Sequence, residues 1–241
     1  MFQVSGFRFR VQNRQLETLN SKLSTKEPYV QELQTVIDTI NQAFEAKSAV
    51  RDRTLGRSRE LIRHCANAIR ATHRHDDVEA QRLLKTARES AAEMVAEAQE
   101  YPDLYYAGYT QDALKELAEA HVTRAIILEE PLPTPETLNV DHAAYLNGLA
   151  EAAGELRRFT LDALRRGNVS EAEKMLGRMD DIYSVLVTVD FPSAITGGLR
   201  RNTDMVRGVL ERTRGDVTTA VRQEAMKTAL QNFEQRIGMS E

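Results

Sequence analysis

The sequence predicts an all-α protein, and three observations support this fold class. The chain has 241 residues, of which 41% are hydrophobic and 28% charged, and Ala, Glu, Arg and Leu dominate. These residue types favour helix. Apolar residues recur at the three- and four-residue spacing of amphipathic helices, whereas no stretch combines strand-like alternation with turn residues on both sides. We therefore expect a single-domain helical bundle of about six to seven helices.

The N-terminal part of the chain divides into an arm and a long helix. Residues 1–27 are polar and lack a helical period, so we expect a loose N-terminal arm followed by one helical domain over 28–241. From about Pro28 to His75, apolar residues recur at helical spacing. A helix of this length exceeds the usual globular length, so it either breaks near Gly56 or forms the spine of a bundle. Cys65 lies within it and is predicted to be a core residue.

Capping and breaking residues predict the remaining helices. Asp76-Asp77 is typical of the N-cap of a second helix that runs to about Gln99. A third helix is expected from Pro102 to Glu129, because a proline-rich segment follows it. The last four helices are expected over residues 141–166, 170–187, 198–213 and 216–237. Gly215-Asp216 is expected to end one of these helices and cap the next.

The charge and the cysteine content limit which classes of function are possible. The net charge of −4 means that the protein as a whole has no positive electrostatic potential to attract nucleic acid. The single cysteine cannot form an internal disulfide, which is compatible with a reducing cytoplasm. No stretch reaches the ~18 apolar residues that are needed to cross a bilayer. We expect a cytoplasmic protein without a membrane partner.

Two pairs of acidic residues are the candidate functional residues. Glu116 and Glu119 are three residues apart, and Glu151 and Glu155 are four apart, so each pair shares one side of its helix. Such pairs are common among 36 acidic residues, and a solvated helix face is the ordinary alternative. Residues 148–155, however, are rich in Gly and Ala, which allow a second helix to approach closely. Buried like charges need a compensating cation or a raised pKa.

These same segments carry a resemblance to a known family. The segment Glu116-Leu-Ala-Glu119-Ala120 resembles the Glu-x-x-Glu-Ala segment of translin-associated factor X. Residues 145–157 are similar to that family's Tyr-Leu-x-Gly-Val-Ala-Asp-x-x-Gly-Glu-Leu-x-Arg helix, with Glu151 where the eukaryotic factor has Asp. The order of elements over residues 30–235 also resembles the translin superfamily.

The resemblance implies a function and an assembly. It implies that Glu116, Glu119, Glu151 and Glu155 hold Mg²⁺ or Mn²⁺ and that the protein is an endoribonuclease with little sequence specificity. It also implies a closed homo-oligomer, an octamer, with RNA as its partner and single-stranded DNA as an alternative partner. The alternative is a non-catalytic, translin-like scaffold that binds single-stranded RNA or DNA. An unrelated helical interaction module is a third interpretation.

A stripe of arginines on the first long helix is the candidate nucleic-acid-binding surface. Arginine suits phosphate oxygens because its guanidinium is a planar fork of donors. The alternative is a solvated face with ion pairs to Asp52 and Glu60. The translin family has a basic segment where this chain has Tyr105, Tyr106 and Tyr109, for which core packing is favoured over base stacking. The candidate arginines are Arg51, Arg59, Arg63 and Arg70.

Overall fold

The computed structural model describes residues 28–238, and within them every regular element is an α-helix. The predicted all-α class is therefore confirmed. Six helices are long: α1 (Pro28–His73), α2 (Asp77–Ala98), α4 (Gly108–Ile127), α6 (His142–Arg165), α7 (Val169–Leu186) and α9 (Leu199–Gly238). Three more are single turns: α3 (Pro102–Tyr105), α5 (Pro135–Leu138) and α8 (Ser193–Thr196). None of these helices in the described chain is both long and apolar enough to span a membrane.

The chain divides into two compact units, one ending at Ala49 and the other beginning at Val50. In the first unit the structure describes residues 28–49, which are helical, and the predicted arm at 1–27 lies outside the described residues. The apolar side chains of this stretch are exposed. They recur at three- and four-residue steps along one face: Val30, Leu33, Ile37, Ile40 and Phe44.

Two groups of buried side chains form the core of the second unit. The first joins α2 and α4 to the part of α1 after Val50, with Leu61, Cys65 and Leu117 completely buried. The second joins α6, α7 and α9 around residues such as Leu156 and Met179. Cys65 is a core residue as predicted, and burial raises the pKa of its thiol above the usual range. Because α4 also packs along α6, the two groups meet at that helix pair.

Capping side chains begin the helices where the sequence predicted them. The carboxylate of Asp76 accepts a hydrogen bond from the Glu79 amide at the start of α2. Asp141 caps α6 through the His142 amide. After α6, Gly167 takes the left-handed conformation, with φ of 80°. These boundaries of the bundle are confirmed, because each rests on a local hydrogen bond or turn that the sequence specifies.

The predicted third helix is wrong as a single element, because it breaks at Ala107. Ala107 is extended, with φ of −63° and ψ of 145°, and separates the single turn α3 from α4. The Thr110 hydroxyl donates to the Leu104 carbonyl at 2.8 Å, and the Gln111 amide donates to the Tyr105 carbonyl at 2.8 Å. These two side chains bond carbonyls that a continuous helix would otherwise use.

The predicted break at Gly215-Asp216 is also wrong, because α9 runs without interruption from Leu199 to Gly238. A glycine inside a helix costs about 1 kcal/mol, and tertiary contacts on either side offset this. Asp216 pairs with Arg157 of α6 at 2.8 Å. The next residue, Val217, is buried against Ala163 and Ala172. The first helix is likewise continuous through Gly56.

A candidate metal centre between two helices

Three of the four predicted acidic residues meet between α4 and α6. One carboxylate oxygen from each of Glu116, Glu119 and Glu151 lies within 4.8 Å of the others. We call these three residues the acidic cluster. Glu116 and Glu119 lie on α4, and Glu151 lies on α6. Glu119 is only 9% exposed, so the cluster is not a solvated helix face.

Gly148 brings the two helices close enough for this arrangement. A Cβ atom at this position would lie 2.6 Å from the Lys115 carbonyl oxygen, 2.9 Å from the Ala118 Cβ and 2.9 Å from the Glu119 amide nitrogen. The contacts are with backbone and with a short side chain, neither of which can rotate away. The backbone of α6 therefore packs directly on the segment of α4 that carries Glu116 and Glu119.

Burial and mutual repulsion raise the pKa values of both α4 carboxylates. Desolvation, followed by the charges of Glu116, Glu151 and Glu155, raises the pKa of Glu119 to about 8. Burial and the charge of Glu151 also raise the pKa of Glu116. Glu119 is thus protonated near neutral pH in the absence of a cation. A group with this behaviour inside an acidic site is typical of functional centres.

Lys115 partly compensates the negative charge. Its ammonium nitrogen lies 2.8 Å from Glu151 Oε1 and 3.8 Å from Asp112 Oδ1. The pKa of Lys115 is raised even though burial opposes this, because the hydrogen bond to Glu151 favours the charged form. One cation is thus shared among several carboxylates.

Glu155 is held differently from the other predicted site residues. Its Oε2 lies 2.6 Å from His73 Nε2 and 3.7 Å from the Arg158 guanidinium. The hydrogen bond with His73 lowers the pKa of Glu155, although burial opposes it. Both contacts use the same oxygen. Glu155 does not join the three-oxygen group, but its charge is felt by Glu116 and Glu119.

His73 is a residue of the site that the sequence pattern does not identify. Its side chain is 4% exposed, and Nδ1 is buried without a hydrogen-bond partner among the described residues. The ring lies 6.3 Å from that of Phe159. His73 and Glu155 are 82 positions apart, so only the packing of α1 against α6 brings them together.

The donor set suits a hard divalent cation. Carboxylate oxygens are the ligands that Mg²⁺ and Mn²⁺ prefer, and Mg²⁺ binds them at about 2.0–2.1 Å. Oxygens up to 4.8 Å apart would have to move closer together to bind one such ion. Neutralising three carboxylates would also remove the repulsion that raises the pKa of Glu119. The chemistry of these three residues fits the ion.

The four predicted arginines lie on α1 but are not gathered at the acidic cluster by any contact that the structure shows. Arg51 pairs with Asp52 at 2.9 Å and Arg63 lies 3.9 Å from Glu60. Arg70 donates to Asn67 Oδ1 at 2.7 Å. The pairs with Asp52 and Glu60 are those that the solvated-face alternative predicts. The predicted RNA contacts of all four arginines, Arg59 included, stay a prediction.

The tyrosines that replace the family's basic segment have mixed environments. Tyr105 packs against the first core group, and the Tyr109 hydroxyl is buried. Tyr106, by contrast, is 65% exposed and contacts Tyr105 edge to face, with ring centroids 4.8 Å apart. The predicted core packing therefore describes Tyr105 and Tyr109 but not Tyr106.

Comparison with known proteins places the chain in a family. The structure of an AfC3PO–duplex RNA complex and the crystal structure of AfC3PO are each 36% identical to this chain. Each has a TM-score of 0.71 over 78% of this chain and 97% of its own. The chain belongs to the translin superfamily. Apo-NeC3PO shares the fold at 23% identity and a TM-score of 0.70, over 76% of this chain and 96% of its own.

A further protein is similar to this chain in sequence. An uncharacterised protein of Methanocaldococcus jannaschii is 31% identical over 218 residues, which cover 88% of this chain and 96% of the relative. No family model matches the chain. The recognition of the translin superfamily from the two acidic segments is thus confirmed by the structural relatives.

The close contact at Gly148 leads to a first prediction. Gly148→Ala should lower the free energy of unfolding by about 1–3 kcal/mol, because the added methyl group overpacks the α4–α6 contact. The matched control is Gly154→Ala on the same helix, where no atom lies within 4 Å of the new Cβ. That variant should be more stable by roughly 0.5–1 kcal/mol. Urea denaturation measures both, and equal stabilisation by the two substitutions would contradict the close contact.

The proton on Glu119 leads to a second prediction, for protein in EDTA. The folded pKa of about 8 exceeds the ordinary value of 4.5. The proton therefore stabilises the fold fully at pH below about 4, and this contribution is lost as the pH rises to about 8. The glutamine in the Glu119→Gln variant cannot ionise, so this variant does not lose stability in the same way as the pH rises.

The measurement is the difference in unfolding free energy between Glu119→Gln and the wild type. Between pH 5 and pH 8 the variant should become more stable relative to the wild type by a few kcal/mol. One pKa unit corresponds to about 1.4 kcal/mol. Glu173→Gln, at an exposed position of α7, is the control and should show no such trend. A pH-independent difference for Glu119→Gln would contradict the buried proton.

Proposed function

We propose that this protein is a metal-dependent endoribonuclease that hydrolyses RNA phosphodiester bonds with little sequence specificity. The observation that carries the proposal is the convergence of Glu116, Glu119 and Glu151 within 4.8 Å at a buried helix contact. The family adds support, because its member AfC3PO forms a complex with duplex RNA. Carboxylates that meet away from bulk water are suited to hold a cation against a phosphate.

The roles of the residues follow from their positions. Glu116, Glu119 and Glu151 would supply oxygen ligands to Mg²⁺ or Mn²⁺, and Glu155 would supply Oε1. When bound, such an ion lowers the pKa of a coordinated water and neutralises charge that develops on the phosphate. His73 fixes the orientation of the Glu155 carboxylate through Nε2. Lys115, 2.8 Å from Glu151, offers a donor to a phosphate oxygen beside the cluster.

One observation favours a second candidate function. Lys115 and the proton on Glu119 already offset part of the repulsion within the acidic cluster. A cluster that is compensated in this way can persist without a metal ion. The protein would then be a non-catalytic scaffold that binds single-stranded RNA or DNA.

A cleavage assay separates these two functions and is the third prediction. The wild type should cleave a fluorescently labelled RNA with Mn²⁺ or Mg²⁺ and should be inactive in EDTA. Glu119→Gln should lose activity by more than about 100-fold, since it removes a metal ligand. Glu173→Gln should cleave at the wild-type rate. RNA binding without metal-dependent cleavage in the wild type would favour the scaffold.

We also propose that the protein assembles as a homo-oligomer, an octamer as the resemblance implies. In the first unit, Ile37 and Phe44 are 49% and 66% exposed within one continuous apolar stripe. Near the end of α9, a second exposed stripe recurs at three- and four-residue steps: Met226, Leu230, Phe233 and Ile237. Apolar stripes of this extent mark protein interaction surfaces.

The assembly is tested by light scattering after size-exclusion chromatography, which is the fourth prediction. The wild type should have eight times the mass of one chain. Ile37→Asp places a charge in the stripe and should reduce the mass by at least half. Gln42→Asp, on the polar side of the same helix, should leave it unchanged. A monomeric wild type would contradict the proposed assembly.

A further inference from the structure

A cavity of about 1030 Å³ opens beside the acidic cluster. Its lining residues come from α4, from the first half of α6 and from the start of α9. Glu151 of the acidic cluster and its partner Lys115 both line this cavity. A molecule in the cavity therefore lies directly beside the carboxylates. The volume is at the upper end of the range of small-molecule sites, about 300–1,000 Å³.

Arg201 gives this cavity a cation that no carboxylate neutralises. It lines the cavity from the first turn of α9. Among residues 28–238 no carboxylate lies within ion-pair distance of its guanidinium, whereas Lys115 is bonded to Glu151. Other arginines of α6 and α9 are paired, such as Arg157 with Asp216 and Arg214 with Asp180. A free guanidinium beside a cation-binding cluster is suited to a phosphate group.

A buried amide network fixes the backbone at the start of α9, from which the exposed side chain of Arg201 extends. Asn147 of α6 is 5% exposed, and its amide donates to the carbonyls of Ala143 and Thr196 at 2.8 Å each. Its Oδ1 accepts a hydrogen bond at 2.9 Å from Asn202, the residue after Arg201. The start of α9 is thereby tied to α6, which also carries Glu151.

Two glycines form the turn that lines this end of the cavity. Gly197 and Gly198 take the left-handed conformation, with φ of 59° and 83°. A Cβ atom at Gly197 would lie 3.4 Å from Asn147 Nδ2. The turn from α8 into α9 therefore needs glycine both for its backbone conformation and for its contact with the amide network.

The other groups in the cavity complement the rest of a nucleotide. Asp112, Asp141 and Gln111 present oxygen acceptors, which suit hydroxyl and amino donors. Asp112, Asp141 and Glu151, the three acids of the cavity, would repel an anion placed at random. A phosphate would therefore be favoured only near Arg201 and a cation held by the cluster. The exposed ring of Tyr106 also lines the cavity and offers a stacking surface for a base.

We propose that this cavity binds the RNA nucleotide adjacent to the cleaved bond, with Arg201 on its phosphate and Tyr106 against its base. The inference rests on the proposed ribonuclease function. It assigns substrate binding to residues outside the acidic cluster and outside the arginine stripe on α1. Arg201 is then a substrate-binding residue and not a metal ligand.

The test measures binding separately from cleavage. A fluorescent 12-nucleotide RNA is titrated with Glu119→Gln protein, which should be inactive, and anisotropy is recorded over a range of salt concentrations. Adding Arg201→Gln should weaken binding about 5- to 30-fold and lower the salt slope by about 0.7, as for the loss of one single-strand phosphate contact. The matched control is Arg200→Gln, an exposed neighbour outside the cavity lining, which should change the affinity less than 2-fold.

A second pair of variants tests the base contact. Tyr106→Leu should weaken RNA binding at least 5-fold, because the stacking surface is lost, whereas Tyr106→Phe should bind as its parent does. Light scattering on every variant checks the assembly. A change of mass in Arg201→Gln would make Arg201 an interface residue and would overturn the assignment.

The outcomes distinguish this inference from the function on which it rests. If Arg201→Gln binds RNA as tightly as Arg200→Gln does, the cavity is not the nucleotide site, while the wild-type cleavage assay still decides the nuclease function. If the parent Glu119→Gln protein binds no RNA at any salt concentration, both proposals fail.

Discussion

The packing of α6 directly on the backbone of α4 is the constraint on which the candidate site depends. Gly148 allows it, because any larger residue would meet the Lys115 carbonyl and the Glu119 amide. The opposite faces of the same helices are anchored in the core, with Leu117 and Leu156 completely buried. Burial of a leucine contributes about 1.5–3 kcal/mol. Several such residues offset the unfavourable energy of holding carboxylates together at the contact.

Different groups relieve that unfavourable energy at three of the acids. Glu151 has an ammonium partner in Lys115, Glu155 has His73, and Glu119 keeps a proton. A divalent cation at the cluster would have to displace the Glu119 proton. Cation binding would then be linked to proton release, so the affinity for a cation would increase with pH through the titration of Glu119.

The sequence predicts those features that rest on local chemistry. Caps and breakers place most helix boundaries, and the three- and four-residue spacing of the acids places each pair on one face. Prediction fails where a distant contact overrides a local preference. Gly215 stays helical because Asp216 and Val217 are held by α6 and its neighbours. His73 could not be assigned to the site, since its partner is 82 positions away and no local pattern marks the pair.

Two adjacent residues of α6 connect the acidic cluster to the neighbouring cavity. Gly148 fixes α6 against the helix that carries Glu119, and Asn147, one residue earlier, fixes α6 against the start of α9. The carboxylates and the helical backbone that carries Arg201 are therefore both held against α6. Groups that act on two parts of one substrate need such a common support, because small errors in their separation weaken binding and catalysis alike. The Asn-Gly pair at 147–148, although typical of a turn in sequence terms, is thus required inside this helix.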